Sequence, residues 1–132
     1  MRSPSTLRLA GVFGAAAVLL GAFGAHGLKN VLSDAQLATY ETGVRYHAYH
    51  ALALLACGLR GNLRLAPWLL SAGILLFSGS LYLLVLTDLR WLGAITPVGG
   101  LALVAGWLAL GFESPRATGS SAQVQTIATH QS

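Results

Sequence analysis

The sequence predicts an all-α integral membrane protein, a four-helix bundle with both termini on the same side and an interfacial helix leading into the second span. Three observations carry that prediction. Of 132 residues, 55% are hydrophobic and only 9% are charged, roughly a third of the charged share of a soluble domain. Four acids and eight bases cannot clothe a soluble surface of this size. The apolar residues also fall in four blocks separated by short polar turns, and about twenty helical residues cross a bilayer core of about 30 Å. The length suits one domain, with residues 1–112 forming the membrane part and 113–132 a polar tail.

The first span is expected over residues 7–28. Its rival reading is a signal peptide with Arg2 and Arg8 as the basic region. Against that, the block is long for a signal core, and it carries a stripe of small residues. Ala10, Gly14, Ala17, Gly21 and Gly24 alternate steps of four and three, which suits close packing against another helix in lipid. The segment "LSDAQL" then carries a helix start. Ser33 and Gln36 are spaced as a capping box, and Leu32 and Leu37 as the hydrophobic staple around it. Glu41 and Arg45 follow at i,i+4 on the same helix. This interfacial helix is expected to run into the second span, 46–59, with Gly43 as a place to bend.

"RGNLR" is a tight polar turn, and Pro67 fits the first turn of a third span over 67–86. "TDLR" is the next turn. The fourth span covers 91–112, where Pro97 either kinks the helix or marks the end of a looser first turn. Gly99, Ala102, Gly106 and Ala109 form a second small-residue stripe. From Glu113 onward, Ser, Thr, Gln and Ala without apolar periodicity predict a disordered tail.

Four spans put both termini on one side. Arg2, Arg8, Arg60, Arg64 and Arg116 fall on that side, and Lys29, Arg45 and Arg90 on the other. The excess of basic residues predicts cytoplasmic termini and residence in the cell inner (plasma) membrane. The net charge of +4 therefore reflects topology, not nucleic-acid binding, since the bases are scattered between apolar blocks. Cys57 is the only cysteine and cannot form an intrachain disulfide.

The same topology gathers the polar side chains. His26 ends the first span, Tyr46, His47, Tyr49 and His50 open the second, Tyr82 ends the third, and Thr96 opens the fourth. All of these lie toward the non-cytoplasmic leaflet, where polar groups face the bundle interior and find partners. His26, Tyr46, His50, Tyr82 and Thr96 make the candidate cluster, and Ser78 and Ser80 are expected to bond across helices or to their own backbone. His47 and His50 share a helix face and with His26 offer three nitrogens, as a zinc or copper site needs. No carboxylate stands between them in a recognised metal spacing, so the chain is read without metal or cofactor. It also lacks a nucleophile–base pair and is read as non-enzymatic. The expected function is a bundle that binds lipid or a membrane partner, a homo-oligomer included. The alternative is a transporter or channel for a small solute or protons using the polar cluster, because histidine titrates near neutrality.

Five segments, "GAFGAHGL", "TGVRYHAYHALALL", "LFSGSLYLLVL", "ITPVGG" and "GW", occur in that order from the first span to the fourth. Together they resemble the small membrane family catalogued as domain of unknown function 423, with its bacterial YgdD-like and YwdK-like and its eukaryotic transmembrane protein 256-like members. The resemblance covers about residues 7–112. It implies a four-span inner-membrane protein with an uncleaved first span, and it implies no reaction. The family pattern maps onto His26, Gly43, Tyr46, His50, Ser78, Gly79, Ser80, Tyr82, Thr96, Pro97, Gly99 and Gly100. At position 47 the family often has Gln where this chain has His47, which argues against a three-histidine metal site.

Overall fold

The computed structural model describes residues 1–117, all helix and connecting turn. Helix α1 spans Pro4–Phe23 and widens into a π-helical turn over Gly24–Leu28. Helix α2 spans Asp34–Arg60, α3 spans Leu65–Thr87, and a 3-10 turn at Arg90–Ala94 leads into α4, Thr96–Phe112. Three stretches are long and apolar enough to cross a membrane: Pro4–Leu28, Leu65–Thr87 and Arg90–Phe112. Helix α2 is the longest, at 27 residues, and the most polar. The chain is a helical membrane bundle.

Local chemistry explains each boundary. The helix of the first span starts at Pro4, where a proline's missing N–H costs nothing. Ser33 accepts from the Gln36 amide and the Gln36 side chain accepts from the Ser33 amide, the reciprocal box that starts α2. Leu32 and Leu37 pack together around Leu28, Tyr40 and Val85. From there α2 runs without interruption, so the interfacial helix and the expected second span are one rod, unbroken at Gly43. It stops at Gly61, whose φ of 138° only glycine adopts readily. Asp88, left-handed at φ 55°, ends α3. Pro97 lies in the first turn of α4, after the 3-10 turn.

The main packing among the described residues follows chain order, α1 on α2, α2 on α3 and α3 on α4, with a smaller contact between α2 and α4. Two apolar clusters result. One joins Ala10, Leu54, Cys57, Leu70, Ile74 and Leu103, and the other joins Leu28, Tyr40 and Val85. Of the glycines, Gly99 stands closest to the backbone of another helix. A Cβ there would lie 2.7 Å from the Leu76 carbonyl carbon and 2.8 Å from the Phe77 Cα. On the same interface Gly73 seats Leu103, and Gly106 seats Leu70.

The start of α1, the end of α2, the start of α3 and the end of α4 meet at one end of the bundle. The Ser3 amide donates to the Gly58 carbonyl at 2.9 Å, and the Arg60 guanidinium donates to the Leu110 carbonyl. Glu113 completes this terminal end. Helix α3 opens with amides at Arg64, Leu65 and Ala66 that lack helical partners, followed by Pro67, which has none to offer. The Glu113 carboxylate accepts all three, at 2.7, 3.0 and 2.9 Å. The Arg116 amide then donates to the Asn62 carbonyl at 3.1 Å. Composition predicted a disordered tail from Glu113. Its first residues, 113–117, are non-helical but tied to the α2–α3 turn, because a carboxylate at the end of one helix meets the orphan amides of another. The rest of the expected tail, 118–132, lies outside the described residues.

Four outcomes test this account. Gly99→Ala forces a methyl into backbone that cannot yield, and it should cost about 1–3 kcal/mol, read as a lower melting temperature of the detergent-extracted protein. Gly79→Ala, with open space around it, should be close to neutral. Glu113→Gln should lower stability by about 1 kcal/mol through loss of the cap. Burial raises the Glu113 pKa, but the Ala66, Leu65 and Arg64 amides and the Arg116 charge outweigh it and hold the carboxyl below its ordinary 4.5. The cap's contribution is therefore complete above about pH 4.5 and is lost as pH falls through the lowered folded value. Melting curves of wild type and Glu113→Gln should converge in acid and separate toward neutrality.

Candidate functional site

Along α2, Tyr40, Gly43, His47, His50, Leu54 and Cys57 are all buried. Their spacing alternates three and four, so they form one seam facing α1 and α3. The polar members of that seam lie between the two apolar clusters. His47 shares a hydrogen bond of 3.1 Å with the Tyr82 hydroxyl through Nδ1, and Phe13 of α1 meets its ring edge-on at 5.7 Å. Tyr40 packs 5.2 Å from Tyr82 and donates at 2.8 Å to the Leu20 carbonyl, just before α1 becomes π-helical. Ser78 donates to the Gly43 carbonyl at 2.7 Å. Glycine at 43 admits this contact, since a Cβ there would lie 2.9 Å from the Tyr82 ring.

The five candidate residues do not form one constellation. His26 is exposed on the π turn and, among the described residues, shares no hydrogen bond or ring contact with His47, His50 or Tyr82. Tyr46 and His50 stack at 5.9 Å, with the His50 Nδ1–H donating to the Tyr46 carbonyl of its own helix. Tyr46 also meets Phe77 at 4.7 Å, and His50 meets Trp107 edge-on at 6.1 Å. Tyr82 belongs to the His47 group. Thr96 pairs with Ser80 at 2.7 Å across the α3–α4 interface. Among the described residues no three His, Cys, Asp or Glu side chains come together as a metal would require.

Sequence reasoning set His47 aside, yet it occupies the centre of the seam. It is 4% exposed, and among the described residues its Nε2 has no hydrogen-bond partner. The signal that locates it is the three-and-four spacing from Tyr40 to Cys57, the pattern noticed on the first and fourth spans.

The second feature is an apolar groove of about 500 Å³ between α1 and α2, lined by Leu7, Gly11, Gly14 and Val18 on one wall and Ala48, Ala51, Leu52 and Leu55 on the other. The small-residue stripe of α1 explains it. Ala10, Ala17 and Gly24 are buried against the bundle, but a Cβ at Gly11 or Gly14 would meet nothing within 4 Å. The open space therefore lies beside Gly14 and the adjoining Gly11, whereas Ala10 and Ala17 on either side of Gly14 are buried.

The His47–Tyr82 pair makes a measurable claim. Tyr82→Phe removes the partner of the buried His47 Nδ1 and should cost about 1–3 kcal/mol. Combining it with His47→Leu removes both polar partners, so the double variant should melt well above the sum of the two single losses. Additive losses in thermal unfolding would show that the pair is not coupled.

Residues 20–100 match the model of a family described as "Protein of unknown function (DUF423)". A UPF0382 membrane protein of Staphylococcus haemolyticus (strain JCSC1435), SH2409, is 52% identical over 95 residues, covering 68% of this chain and 78% of the relative. The UPF0382 membrane protein YwdK of Bacillus subtilis (strain 168) is 50% identical over 99 residues, covering 70% of this chain and 80% of that relative. No solved structure matches. The matched region runs from late in α1 into α4 and holds every candidate residue. With a helical membrane bundle on one side and these relatives on the other, the chain belongs to the DUF423 family of membrane proteins.

Proposed function

We propose that this protein is a non-enzymatic, lipid-binding bundle of the cell inner membrane, and that the groove between α1 and α2 seats an acyl chain. The groove carries the proposal. Every residue lining it is apolar or glycine, and its volume lies in the range of small-molecule sites. A lining without donors or acceptors selects a chain without them. The arginines of the terminal end support a cytoplasmic orientation for that end. A membrane-protein partner is the second reading of the same groove, favoured by the small-residue spacing of α1, which also suits a helix. A solute or proton pathway draws less support, because Ser78, Ser80, Tyr40 and Tyr82 spend their hydroxyls on bonds within the bundle.

Native mass spectrometry of the detergent-extracted chain tests this reading. Wild type should retain phospholipid, and Gly11→Leu with Gly14→Leu, which fills the groove, should retain one lipid fewer than wild type while melting at a similar temperature. A wild type without lipid, or a filled variant that keeps it undiminished, overturns the proposal. A co-extracted protein displaced by the same variant would transfer the groove to a partner helix.

A further inference from the structure

The terminal end holds a second cavity of different chemistry. About 430 Å³ is bounded by Arg64, Leu65, Trp68, Glu113 and Arg116. Among the described residues neither arginine side chain forms a hydrogen bond, although the Arg116 charge acts on the nearby Glu113 carboxylate. Among the described residues, Arg64 and Arg116 bond through their backbone amides, to Glu113 and to the Asn62 carbonyl. Glu113 is the one acid here, and both its oxygens are occupied by the amides of α3. The same bonds fill the N-terminus of α3, which therefore offers no amide to a ligand. What the cavity still presents is cationic: two guanidinium groups, each a planar fork of donors suited to a phosphate. Its other wall is apolar. Trp68 is 68% exposed and Leu65 54%, and a tryptophan at the end of a membrane helix lies at headgroup depth.

We propose that this cavity binds the phosphate of an anionic phospholipid headgroup, with Arg64 and Arg116 as its donors and with Trp68 and Leu65 against the first carbons of the lipid. Basic recesses between membrane helices on the cytoplasmic side recognise such lipids. The site is separate from the α1–α2 groove and does not depend on what that groove holds. A free phosphate ion offers the same oxygens, but it makes no use of the apolar wall.

The test is competitive native mass spectrometry of the full chain with equal amounts of phosphatidylglycerol and phosphatidylcholine. Wild type should prefer phosphatidylglycerol. Each of Arg64→Gln and Arg116→Gln should reduce the preference about fivefold, and the double variant should abolish it while remaining folded, melting no lower than Glu113→Gln. Arg90→Gln, at the opposite end, and the groove-filling Gly14→Leu should leave it intact. No preference in wild type, a preference that survives the double variant, or one lost equally in Arg90→Gln overturns the proposal. Millimolar inorganic phosphate should not displace the lipid; if it does, the site is one for free phosphate and the lipid assignment fails.

Discussion

Helices in a bilayer gain little by burying one leucine against another, because the lipid they leave is as apolar as the partner they meet. Association then rests on close contact, and close contact rests on residues small enough to permit it. Gly99 against the backbone of Leu76 and Phe77 is the tightest instance, and Gly73 and Gly106 extend it along the same interface. With α4 held this way, Thr96 meets Ser80 and Glu113 arrives over the open amides of α3. The cap and the polar pair are consequences of a backbone approach that a single methyl would prevent.

Helix α2 follows a different logic. It is the least apolar helix of the four, yet its seam is buried between α1 and α3. Its polar side chains separate the two apolar clusters and tie three helices at defined points: Tyr40 to the Leu20 carbonyl, His47 to Tyr82, and the Gly43 carbonyl to Ser78. Apolar contact tolerates rotation and sliding, whereas hydrogen bonds in a water-poor interior do not, so these pairs set the register of the bundle. The His47 Nε2, without a hydrogen-bond partner among the described residues, is the exception, because burying such a group costs free energy.

Much of this was legible in the chain. The Ser33 and Gln36 box and the packing stripe of α4 follow from local spacing, and local spacing acts over one or two helical turns. The stripe of α1 was legible as a contact face, but not as a groove. That Ala17 and Gly24 are buried while Gly11 and Gly14 stand open depends on how α2 inclines against α1, which no spacing within α1 encodes. His47 reads in the sequence as a metal ligand beside His26 and His50, whereas its place in the three-and-four seam is what buries it. Glu113 escapes such a reading because its neighbours are polar and aperiodic, and its partners lie about fifty residues earlier in sequence, in another helix.

The sequence by itself determined the membrane class, the helices, their main start and stop signals, and the polar residues that the bundle would have to accommodate. Hydropathy, capping and backbone propensity act within a segment, so a segment is enough to read them. Only the tertiary structure decided that His26 stands apart from the other histidines, that Tyr82 meets His47, that α1 and α2 part at Gly14, and that Arg64 and Arg116 border one cavity. Each of these depends on the rotation and inclination of whole helices, which are set by the sum of many side-chain contacts between segments distant in the chain.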